Sequence, residues 1–191
     1  LNKEKAEVAA SICKSDLCSD LVNEYPDLQG LMGKYFALSQ GFEDDVSNAV
    51  SDHYLPLGNN SVTSKKPISY VLAIADKIDT LVAFFLINEK PTSSKDPFAL
   101  RRSAIGLLRT VIDNKLNLKL RNLISYNIRL LEEQGVKNIN DNSENEILNF
   151  LKERMKNILK DKNIKNDIIE ASISSYFGDN YFDLYKKNIL M

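Results

Sequence analysis

The sequence has no tryptophan, one histidine (His53) and two cysteines, Cys13 and Cys18. Two cysteines five residues apart are too few, and too oddly spaced, for a disulfide framework or a zinc knuckle. One imidazole in 191 residues argues against a metal centre built from several histidines. No apolar run approaches the roughly 20 residues that cross a bilayer, and the opening residues carry no export signal, so no membrane partner is expected and the reducing cytoplasm is the expected compartment. Gly-rich phosphate loops, a Ser/His/Asp order and a Cys/His pair are also missing. The chain begins at Leu1 and reads as a segment of a longer protein.

What is present is an ordinary globular composition, 43% hydrophobic and 27% charged, enough for one core or one core with an attached piece. The net charge of −1 hides an asymmetry. Residues 1–60 carry four lysines against ten acids, a net of −6, whereas residues 95–130 carry eight basic residues against two acids, a net of +6. A split of this kind suits a chain that meets a polyanion with one part only. It also arises when charge merely solvates a face.

Helical periodicity runs through most of the chain. Residues 3–25 read as one helix with Val8, Ile12, Val22 and Tyr25 on one side and Leu17 and Leu21 on the other, a central bundle position. Residues 27–40 read as a second helix, with Gly30 and Gly33 on a side that another backbone approaches closely and Gly41 as its stop. Val46, Ala49, Val50 and His53 form one stripe of a short helix over 43–54, followed by a loop at 55–67. A long helix over 68–87 places Ile68, Val71, Leu72, Ala75, Ile78, Leu81, Val82, Phe85 and Leu86 at core spacing, around a polar cluster of Asp76, Lys77, Asp79 and Thr80. Further helices are expected over 98–113, 119–134, 143–160 and 165–190, the third opened by Ser143 and Glu146 in capping-box spacing. No strand pair stands out. The fold class is all-α, a helical bundle.

The stretch PTSSKDPFALRR at 91–102 poses the sharpest question. Asp96 and Pro97 suit the first positions of a helix. On a wheel of about 100° per residue, Leu100, Ala104, Leu107, Leu108, Val111 and Ile112 mark the apolar side and Arg101 falls within it. A buried guanidinium requires a partner, and Asp76 or Asp79 is the expected one. Arg102 and Arg109 share an outward edge, and with Lys95 they suit phosphate contacts; an ordinary solvated basic edge is the other reading. Asp16, His53, Asp76 and Asp79, polar residues set in apolar helices, invite a metal-dependent phosphohydrolase reading, and no metal is expected there.

Four stretches carry a resemblance: DLVNEYPDLQGLMGKYFAL (20–38), SDHYLP (51–56), LAIADKIDTLVAFF (72–85) and PTSSKDPFALRRSAIGLLR (91–109). Together and in this order they resemble the bacterial glycyl-tRNA synthetase beta subunit, strongly over about residues 1–120. Beyond that only the helical pattern and positions such as FLKERMKNIL (150–159) match. Ser93 departs from the family's usual glycine. The resemblance implies a heterotetramer of two alpha and two beta subunits. The alpha subunit would activate glycine with ATP and Mg²⁺, while beta recognises tRNA-Gly. It implies a degenerate HD-like domain over 1–118 and a helical connector over 119–191, leading toward an anticodon-binding domain. Asp16, His53 and Asp76 would be remnants of the HD pattern, with Lys14-Ser15-Asp16 standing where an HD pair would lie. Lys95, Arg102 and Arg109 would touch tRNA. The fragment would need no cofactor of its own, and its partners would be tRNA-Gly, the alpha subunit and other beta domains. A surviving HD-type phosphohydrolase, displaced if Arg101 or Lys77 fills the metal space, and a structural spacer between beta domains are the alternatives.

Overall fold

The computed structural model describes residues 2–58, 61–92, 94–136, 140, 142–176 and 178–189. Ser93, the position that departs from the family glycine, lies outside the described residues. Among the described residues there are ten α-helices and no strand, so the all-α expectation holds. By the packing of its residues the chain falls into two compact units, Leu1–Asp76 and Lys77–Met191. None of the described helices is long and apolar enough to cross a membrane.

The first unit departs most from the sequence reading. Residues 3–25 are not one helix but α1 (Lys3–Ile12), a 3₁₀ turn over Ser15–Cys18 and α2 (Asp20–Glu24). Polar side chains break the run. Ser19 Oγ accepts from the Val22 amide at 3.2 Å and donates to the Asp16 carbonyl at 2.7 Å, starting a new helix in the middle of the expected one. With the break, Val8, Leu17, Leu21 and Tyr25 are exposed rather than central; Ala9, Cys13, Asp16 and Val22 are the buried residues.

A second correction follows at once. Pro26–Leu28 is a 3₁₀ turn, and α3 (Leu31–Ser39) begins only after Gly30. Gly30 has φ +78°, a left-handed conformation that a side chain would oppose, so it opens the helix and is not an interior glycine. Gly33 is tightly packed as expected, but by side chains and not by another backbone: a Cβ there would lie 2.8 Å from Val50 Cγ1 and 3.1 Å from the Asp16 carboxylate. That close approach is the packing of α3 on α4 (Asp44–Asp52). Val46, Ala49, Val50 and His53 are all buried. Ala9 and Cys13 from α1 and the turn after it pack with Val46, Ala49, Ile68 and Leu72 into this unit's core.

Helix α5 (Pro67–Leu86) contributes Leu72, Ala73 and Ile74 to the burial of the first unit, and Ile78, Leu81, Val82, Phe85 and Leu86 to that of the second. Ala75, expected on the stripe, is exposed.

In the second unit α6 (Leu100–Asp113) buries all six residues that the wheel places on its apolar side. It packs against α8 (Ser143–Lys160) and α10 (Tyr181–Ile189), while α7 (Leu120–Glu133) and α9 (Asn166–Ser174) lean on α8. The expected helix over 165–190 is thus two, α9 and α10. Tyr181 is fully buried and its hydroxyl donates to the Leu148 carbonyl at 3.0 Å; burial holds that phenol far above its ordinary pKa. The capping box at Ser143 does not form. Ser143 is already helical, and Glu146 turns instead to Lys90 at 2.5 Å, a tertiary ion pair in place of the local one.

Candidate functional site

The polar chemistry gathers in two places, one in each unit. In the second unit it lies at the start of α6. Asp96 does the capping expected of it, but from further back: its two carboxylate oxygens accept from the Leu100 amide at 2.8 Å and the Arg101 amide at 3.0 Å. Pro97 and Phe98 form a turn ahead of the helix, and Ala99 enters it with φ +54°. The loop before is tied by the Thr92 amide on the Lys95 carbonyl and the Lys95 amide on Thr92 Oγ1.

On this frame Lys95 and Arg102 are exposed and Arg109 is half-buried along the same helix. Arg101 is half-buried, and its guanidinium donates to the Thr92 carbonyl. The acids expected as its partners are engaged elsewhere. Asp79 accepts from Asn127 at 3.2 Å, and within the first unit Asp76 holds Lys14 at 2.9 Å. The pairing of Arg101 with Asp76 or Asp79 is therefore corrected. Helix α6 begins at Leu100, so Arg101 sits in its first turn, where a backbone carbonyl of the preceding loop is within reach.

In the first unit Lys14, Asp16, His53, Tyr54 and Asp76 make a linked set. The Lys14 ammonium stands 4.3 Å over the Tyr54 ring while bonding Asp76. Burial would lower its pKa, but the hydrogen bond and charge of Asp76 outweigh that and hold it above the ordinary value. The Tyr54 ring lies 3.9 Å from the His53 ring, and the Tyr54 phenol is raised by burial. His53 Nδ1 sits 2.7 Å from the Val50 carbonyl, so this nitrogen carries the proton and donates. Asp16 is fully buried, and its Oδ2 accepts from the Gly30 amide at 2.6 Å. Among the described residues no group of three His, Cys, Asp or Glu side chains is placed to hold a metal ion.

The chain matches the family model described as glycyl-tRNA synthetase beta subunit over residues 1–174. It belongs to that family. Among the curated relatives it is 41% identical over 182 residues to the glycine–tRNA ligase beta subunit of Ruegeria sp. (strain TM1040), covering 95% of this chain and 25% of that one. It is 42% identical over 175 residues to that of Rickettsia canadensis (strain McKiel), covering 90% and 25%. The match to the Rhodospirillum centenum (strain ATCC 51521 / SW) beta subunit is 40% over 168 residues, 88% and 23%. The chain therefore spans about a quarter of the length of these relatives.

In the first-unit set of this glycyl-tRNA synthetase beta subunit family member, Asp76 binds a lysine ammonium, and Asp16 accepts from a backbone amide through Oδ2 while its buried Oδ1 has no hydrogen-bond partner among the described residues. The cation on Asp76 is Lys14, a residue the sequence marks only by its place beside Asp16. Tyr54 carried no sequence signal beyond following His53.

Proposed function

We propose that this chain is the part of a glycine–tRNA ligase beta subunit that helps hold tRNA-Gly while the alpha subunit, using ATP and Mg²⁺, transfers glycine to the tRNA. The reading draws on the family and on one observation. Lys95 and Arg102 project into solvent from the start of a helix whose apolar side is wholly buried, and Arg109 lies two turns along. Residues so placed can contact phosphates without disturbing the core. Contacts of this type supply affinity and register and little sequence information; A-form RNA offers phosphates and 2′-hydroxyls for them. In this reading the partners are tRNA-Gly, the alpha subunit and other beta domains, in the cytoplasm, and residues 1–118 keep an HD-like frame that has exchanged metal chemistry for a Lys14–Asp76 ion pair.

The experiment is tRNA-Gly binding against salt in the assembled heterotetramer, comparing wild type with Arg102→Glu/Arg109→Glu. Loss of two phosphate contacts weakens binding and flattens the log–log salt slope by roughly 1.5–2 units. Unchanged affinity and slope in a folded variant would make this segment a spacer between beta domains.

A further inference from the structure

Helix α7 uses its two sides differently. Leu120 and Ile124 are buried in the second unit. Asn122, Ser125, Tyr126 and Arg129 are exposed instead, at the three-, four- and seven-residue spacings that put side chains on one helical face. These four line an open cleft of about 290 Å³, at the small end of ligand sites, roughly 300–1,000 Å³. Tyr126 is 53% exposed, and the Arg129 guanidinium carbon stands 5.2 Å from the centroid of its ring. Bonds to α8 hold this wall in place: Arg121 pairs with Glu144, and the Ser125 hydroxyl contacts both the Arg121 carbonyl and the Glu144 carboxylate. The Glu144 charge is thereby answered by Arg121, and Arg129 forms no ion pair among the described residues.

The chemistry of the lining selects the occupant. A protein contact centres on apolar side chains ringed by polar ones. Among the described residues that line this cleft none is aliphatic: it offers one aromatic ring, one guanidinium plane, a carboxamide and a hydroxyl. It also lies in the stretch 95–130, which carries a net of +6 and so favours an anionic partner. A planar, polar group carried on a phosphate chain meets all of these features. We infer that the cleft takes an unpaired base of RNA, stacked on the surface that Tyr126 and Arg129 present, with its edge read by the Asn122 carboxamide, which donates and accepts at once. Stacking on aromatic side chains is how proteins hold single-stranded nucleotides without reading much of their sequence. The inference rests on the tRNA-binding reading above and deepens it: α6 would hold phosphates and α7 a base.

The test uses the assembled heterotetramer with tRNA-Gly. Tyr126→Ala should weaken binding about tenfold and leave the log–log salt slope unchanged, because stacking releases no counterion. Tyr126→Phe, which keeps the ring, should bind as wild type does. Asn122→Ala should lose about fivefold. In chemical probing of the Watson–Crick edges, one base protected by the wild-type enzyme should react in both Tyr126→Ala and Asn122→Ala. Thermal melting checks each variant, and should one fail to fold, the other decides. Unchanged affinity and protection in a folded variant overturns the site. So does loss of subunit assembly with tRNA protection intact, which would make the cleft a protein contact. Loss of free AMP binding with tRNA protection intact overturns it too, and would make the cleft a mononucleotide site. If Arg102→Glu/Arg109→Glu flattens the slope while Tyr126→Ala leaves affinity untouched, only the base site falls. If neither changes binding, the tRNA reading falls with it.

Discussion

Lys14 meets Asp76 at 2.9 Å with its side chain 43% exposed, so solvent takes back much of the Coulomb energy. Lys14→Met should cost about 1 kcal/mol near pH 7, read as a lower urea midpoint. Because the folded pKa stands above the ordinary 10.5, the stabilisation is complete below that value and disappears as the pH climbs through the raised one. The gap between wild type and variant should therefore narrow above about pH 10.5. At Gly33 the restriction is steric. Its added Cβ would meet Val50 at 2.8 Å and the Asp16 carboxylate carbon at 3.1 Å, and both neighbours are buried. Gly33→Ala is expected to lower stability by about 1–3 kcal/mol; a variant as stable as wild type would show that α3 and α4 can separate freely. A close approach at Gly33 was legible in the sequence, but that side chains and not a backbone make it was not. Nor was the fate of Gly30, since a positive φ leaves no mark in periodicity.

Among the elements, α4 and α6 were readable because their apolar stripes are continuous and amphipathic: every stripe residue named for them is buried. The expected helix over 3–25 failed for the opposite reason. Its apolar residues occur on two sides, and Ser15, Asp16 and Ser19 offer the backbone other hydrogen bonds, which periodicity ignores. The start of α6 lies between these cases. Asp96 was identified as the cap, but the turn at Pro97 and Phe98 moves the helix start to Leu100, so the carboxylate closes two amides from four and five residues back. Asp96→Ala should cost about 0.5–2 kcal/mol, with amide exchange speeding first at Leu100 and Arg101; protection that is unchanged there would show the cap to be dispensable.

For the whole molecule, the charge division was plain in the sequence: −6 over residues 1–60 and +6 over 95–130. What charge counting did not reveal is the difference between cations already used and cations on offer. Lys14 and Lys5 are spent on Asp76 and Glu43, whereas Lys95 and Arg102 lie exposed. The affinity lost in Arg102→Glu/Arg109→Glu should accordingly be largest in dilute salt and shrink toward 1 M, where screening acts within about 3 Å; a loss equal at all ionic strengths would mean a folding defect instead. The Lys14 ammonium has a consequence of its own. It behaves as a counter-ion tethered by covalent bonds, at an effective concentration no dissolved cation can match. Chelators cannot strip it, and fluctuating magnesium cannot exchange with it. While its proton stays on, this corner of the first unit keeps its ionic state independent of the metal supply around it.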